Sequence, residues 1–162
     1  GIARIPGAGF AVTAEDEGVA TLAEGLARDA GGIPFRLADD LKPRYHVAAV
    51  FASNALVAIT DVATRLLASC GVPDPAAVLA PLQAATLENL GSAGPGAALT
   101  GPALRGDAGT VEANLGALAA ALPEAIPAYV AVSDLALDLA TRSGRLDADG
   151  RRRVAEVLDR WR

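Results

Sequence analysis

Apolar positions follow two rhythms, one before residue 40 and another after it. Gly9-Phe10-Ala11-Val12-Thr13 reads as a short buried strand, and Ile33-Pro34-Phe35-Arg36-Leu37 as a second. Between them, Val19, Leu22, Ala23 and Leu26 mark one face of a helix over Glu15–Ala30. Thr13 is placed to cap this helix, with Asp16 three residues on, and Gly31-Gly32 ends it. Strand–helix–strand is one crossover of a parallel sheet, and one crossover does not make a stable sheet alone. Residues 1–40 are therefore expected to be the tail of a larger α/β domain whose earlier strands lie upstream.

From Lys42 the period is helical throughout. A first helix is expected over about 43–69, stopped by Gly71 and Pro73. A second starts at Asp74-Pro75 and ends near Gly91, with a kink or split at Pro81. Residues 91–106, rich in glycine and proline, read as a loop. Three more helices follow, over Asp107–Leu122, Pro123–Arg142 and Asp147–Arg160. The expected fold is mainly α: a multi-helix bundle over 41–162 preceded by the residual strand–helix–strand.

The first long helix carries the only histidine. At about 100° per residue, His46, Val50, Ser53, Asn54 and Val57 share roughly a 100° arc of an otherwise apolar surface. Burying such polar groups unpaired costs about 1–3 kcal/mol each. The stripe is thus either a satisfied helix–helix contact or the wall of a site. Imidazole titrates near neutrality, which suits proton donation, while a boundary histidine held by a hydrogen bond is the structural alternative. Asn54 lies about 12 Å along the helix from His46, so a small polar molecule can bridge them although they cannot touch.

Composition narrows the function classes. Hydrophobic residues are 52% and charged residues 20%, which fits a folded domain, and the mean hydropathy of +0.33 points to surface covered by a second subunit or another domain. A net charge of −5 argues against nucleic acid. Arg151, Arg152 and Arg153 are interleaved with Asp147, Asp149, Glu156 and Asp159, as on a solvated helix face. A single cysteine, Cys70, allows no disulfide framework within the chain and fits a reducing, cytoplasmic setting. The apolar runs, broken at Ser53-Asn54 or by Pro and Gly, are expected to fall short of the roughly 20 residues of a membrane span. With no second histidine or cysteine cluster, no metal site is expected.

The segment Thr100-Gly101-Pro102-Ala103-Leu104-Arg105-Gly106-Asp107 is the second candidate. Its glycines permit close backbone approach, Arg105 can hold a carboxylate or phosphate, and Asp107 can cap the next helix. Gly7-Ala8-Gly9 lacks the third glycine and the following helix of a dinucleotide fingerprint, and no nucleophile elbow is present.

Three segments occur in an order that resembles one family: Tyr45-His46-x-x-Ala49-x-Phe51-x-Ser53-Asn54, then Thr86-Leu87-Glu88-Asn89, then Leu99-Thr100-Gly101-Pro102-x-x-Arg105-Gly106-Asp107-x-x-x-Val111. Over about 8–143 the chain resembles the helical half of oxidoreductases that carry a Rossmann-like domain followed by the domain of unknown function 2520. That half is similar to the C-terminal domains of 6-phosphogluconate dehydrogenase-like proteins. The resemblance implies that 1–40 is the last crossover of the Rossmann-like domain and that 41–162 binds substrate and dimerises. It implies NADP or NAD as cofactor, held mostly by residues upstream, and a small acidic substrate such as a 2-oxo acid. His46 stands where similar ketopantoate reductases place a lysine, and would donate the proton. Ser53, Asn54, Thr100 and Arg105 would bind substrate. A homodimer in the cytoplasm, without nucleic acid or membrane, completes the expectation; a non-catalytic helical association module or a ligand sensor is the alternative.

Overall fold

The computed structural model describes residues 5–162, which group into two compact units divided after Ala58. The chain is mainly α, with a small parallel sheet near its N-terminus.

In the first unit, β1 (Gly9–Val12) pairs in parallel with β2 (Ile33–Arg36), Gly9 opposite Ile33 and Val12 opposite Arg36. Helix α1 (Glu17–Asp29) makes the crossover. Its cap is Asp16, whose carboxylate accepts from the Val19 N–H at 2.8 Å, and not Thr13. Thr13 instead donates its hydroxyl to the Leu37 carbonyl at 2.6 Å, tying the two strand ends together. The expectation that β1 is buried is also corrected: only Val12 is, while Gly9 and Ala11 are exposed. Two strands alone leave sheet surface uncovered among the described residues.

A short 3₁₀ turn (Asp39–Leu41) then leads into a continuous helical rod: α2 (Lys42–Ala49), a π turn (Val50–Asn54) and α3 (Ala55–Ser69). Ser53 and Asn54 do not end the helix; they lie in its π turn. The helix over Asp39–Ser69 spans 31 residues and is, by length and composition, apolar enough to cross a membrane, so the expected shortfall does not hold. No residue of α2, the π turn or α3 is buried.

The second unit begins within α3 and continues with α4 (Pro75–Ala98), α5 (Ala108–Ala121), α6 (Ile126–Arg142) and α7 (Ala148–Asp159). Helix α4 passes through Pro81 without leaving helical geometry and runs beyond Gly91. Its break comes at Gly94, whose φ of 75° and ψ of 167° only glycine adopts readily. The expected loop is thus shortened from its N-terminal side. The core forms where the apolar stripes of α5, α6 and α7 meet: Val111 and Leu115, Val130 and Leu137, Val154, Val157 and Leu158. A smaller cluster of Leu118, Leu122 and Ala125 receives Val62 and Leu66 from α3.

Candidate functional site

His46 lies in α2, and Ser53 and Asn54 lie in the π turn; all three are exposed. The Ala55 N–H reaches back five residues to the Val50 carbonyl, which inserts one residue into the ladder. Every later position is set back by about 100° relative to a uniform helix. Val57, expected on the His46 stripe, therefore leaves it, while Asn54 turns toward the azimuth of His46. His46, Ser53 and Asn54 line none of the hollows described below. They form an open polar track on an apolar rod.

Thr100 and Arg105 lie at either end of the turn in the second unit, both exposed. The turn is rigidly built. Asp107 N–H donates to the Pro102 carbonyl at 3.0 Å, Gly106 N–H to Ala103 at 3.2 Å, and Ala103 and Leu104 are buried as anchors. Arg145 reaches the end of α4, donating from Nη1 to the carbonyls of Gly96, Ala97 and Leu99 at 2.7, 3.1 and 3.0 Å. It satisfies carbonyls that the helix end leaves free. Replacing Arg145 by methionine is expected to cost about 1 kcal/mol, discounted for exposure, and to speed amide hydrogen exchange at Leu99–Gly101. Unchanged exchange there would show that Arg145 does not hold the turn.

Asp107 is fully used as the cap of α5, accepting from the Thr110 N–H at 3.0 Å and from its hydroxyl at 2.6 Å. The Thr110 hydroxyl, then the Thr110 N–H, and then the charge of Arg105 hold the Asp107 carboxyl below its ordinary value. A depressed folded value gives stability that is present above the unfolded value, 3.8, and is lost as the pH falls through the lower folded one. Acid unfolding followed by circular dichroism from pH 5 to 2 is therefore expected to lose part of its steepness in Asp107→Asn. Superimposable acid limbs would exclude this cap as a contributor. Arg105 itself makes no ion pair among the described residues, so its guanidinium remains available to an anion.

One feature escaped the sequence reading. At the carboxyl ends of β1 and β2 lies a hollow of about 560 Å³, walled by Thr13, Glu15, Arg36, Asp39 and Lys42 among others. Arg36 is held by Glu24 and by Glu17 at 2.9 Å, and Lys42 by Asp39 at 2.6 Å. The hydrogen bond from Arg36 and then that from Arg28 keep Glu24 below the usual carboxylate range, and Arg36 is raised in turn. Ligands of parallel sheets collect at this edge, so polar residues directly after each strand were the available signal. In the second unit, a mainly apolar hollow of about 320 Å³ lies among Leu66, Cys70, Leu118 and Tyr129; Asn114, which also lines it, donates to the Tyr129 hydroxyl at 3.0 Å.

The profile of the family described as domain of unknown function DUF2520 matches residues 8–136. The chain belongs to the DUF2520 family. The match takes in the strand–helix–strand, the rod, the Thr100–Asp107 turn and most of α6, so one family spans both units. No curated protein and no solved structure matches the chain.

Proposed function

We propose that this DUF2520 chain is the helical, substrate-binding half of an NAD(P)-dependent oxidoreductase that reduces a small carbonyl or imine compound, a 2-oxo acid in the first instance. The observation that carries the reading is the order of parts. A parallel crossover with a hollow at its strand ends runs directly into a largely apolar rod that carries an imidazole and a carboxamide on its exposed surface. The likeness to 6-phosphogluconate dehydrogenase-like C-terminal domains supports the same assignment.

The strand-end hollow lies at the edge where ligands of parallel sheets collect, which supports a nucleotide there, although its Arg36 and Lys42 are paired with carboxylates and the fingerprint glycines are not in this chain. When bound, the reduced nicotinamide supplies the hydride. In this reading His46 delivers a proton to the oxygen or nitrogen that becomes negative, and Asn54 and Ser53 hydrogen-bond the same group and hold it in place. Arg105 and, at the other end of the turn, Thr100 offer a cation and a hydroxyl to an acidic ligand.

The competing reading is a non-catalytic association module or ligand sensor, and one observation favours it: none of the hollows described above is lined by His46, Ser53 or Asn54. The deciding experiment is NADPH oxidation with small 2-oxo acids by protein expressed from the complete reading frame, comparing wild type, His46→Gln and Asn54→Ala. Equal rates in all three would remove these residues from any mechanism.

A further inference from the structure

The run Arg151-Arg152-Arg153, expected as a solvated helix face, separates in the structure. Arg151 holds Asp138 and Arg152 holds Asp149, both at 2.7 Å. Arg153 is exposed and makes no ion pair among the described residues, although Glu156 stands at the helical spacing for one. Its guanidinium reaches instead to the Thr100–Asp107 turn: a Cβ added at Gly106 would lie 3.4 Å from Arg153 Nη2. Two buried glycines make this approach possible. A Cβ at Gly106 would also stand 2.8 Å from the Gly150 Cα, so only backbone free of side chains lets the turn touch the start of α7. Arg153 follows Gly150 by about one helical turn and so comes over the same spot.

Arg105 directly precedes Gly106, so one cation from the turn and one from α7 flank a single buried glycine. The carboxylates closest along the chain are engaged elsewhere. Asp107 accepts from the N–H and the hydroxyl of Thr110, Asp147 accepts from the Gly150 N–H at 2.7 Å, and Asp149 holds Arg152. Two cations brought to one spot without a carboxylate repel each other, and in a chain of net charge −5 this is a local departure that an anion would relieve. We infer that Arg105 and Arg153 together hold one doubly charged oxyanion, a phosphate group or a dicarboxylate, over Gly106. Each guanidinium presents a planar fork of N–H donors that matches two oxygens, and two such forks call for more charge than one carboxylate carries. Arg153 lies outside the residues 8–136 that the family profile matches, so membership of the family assigns it nothing. Both arginines belong to the second unit, so the site is complete within it. One consequence rests on the oxidoreductase reading: the 2-oxo acid would then carry a second acidic group, which Arg105 alone does not require.

The probes are inorganic phosphate, malonate and acetate, titrated at slightly alkaline pH into the 162-residue chain while the amide resonances of Gly106 and Gly150 are followed. At least one of the two dianions is expected to shift both resonances saturably in the millimolar range, with acetate binding about tenfold or more weakly. Whichever dianion binds tighter tells a phosphate ligand from a dicarboxylate. Arg105→Gln and Arg153→Gln are each expected to weaken that dianion about tenfold. Helicity is retained in both, because the two side chains are exposed. Arg142→Gln, which changes an exposed arginine of α6, is expected to bind as wild type does. No saturable shift with either dianion overturns the proposal. So does wild-type affinity in Arg153→Gln, acetate that matches the dianions, or equal weakening by Arg142→Gln. No turnover enters these measurements, so a failed titration leaves the oxidoreductase reading to its own assay, and an inert enzyme leaves the anion site standing.

Discussion

Gly106→Ala is expected to lower the melting temperature of the chain by about 10 °C or more, a loss of about 3 kcal/mol. Two costs combine at this position. The backbone has φ of 63°, a left-handed value that strains any residue with a side chain. An added Cβ would also lie 2.8 Å from the Gly150 Cα, and backbone cannot swing aside as a flexible side chain can. The turn that carries Arg105 thus presses directly on the first turn of α7, and both partners at the contact are glycine. Gly144→Ala separates the costs, because Gly144 has φ of 69° but nothing within reach of a Cβ, so about 1 kcal/mol of backbone strain is expected there. Differential scanning calorimetry of both variants makes the comparison. Equal losses would mean that the contact with α7 relaxes freely and does not fix the turn.

His46→Gln is expected to reduce kcat for NADPH oxidation by about 10²–10⁴-fold while changing KM little. Glutamine keeps hydrogen-bonding capacity and bulk but cannot deliver a proton at neutral pH, so binding survives and chemistry does not. On the proposed oxidoreductase reading, Asn54→Ala removes a hydrogen bond to substrate and should cost about tenfold, mostly in KM. His46 is exposed on α2 and contributes nothing to a core, so neither effect is confounded by unfolding. Steady-state kinetics on the product of the complete reading frame decides the matter. A wild-type kcat in His46→Gln would leave the imidazole without a chemical role.

Local chemistry was legible wherever one residue closes its own backbone. Asp74, Asp107 and Asp147 each accept a backbone N–H three residues on, at 3.1, 3.0 and 2.7 Å, at the helix starts that cap-then-helix spacing marks. The same logic failed at Thr13, the expected cap of α1. The Leu37 carbonyl, 24 residues away, takes the Thr13 hydroxyl and leaves the cap to Asp16. Glycine was misread at Gly91 and read rightly in kind at Gly94, because composition marks a region where a helix can break but not which residue turns left-handed.

The amino-acid order by itself determined the elements: a short parallel crossover, a long apolar rod and the helices that follow it. Those features depend on neighbours within a few residues, where period and capping act. Only the tertiary structure decided that the rod is bare, that a π turn rephases Asn54 against His46, that Arg145 clamps the end of α4, and that an open hollow lies at the strand ends. Each depends on which distant groups meet, or fail to meet, in space. A helical wheel carries no information about that.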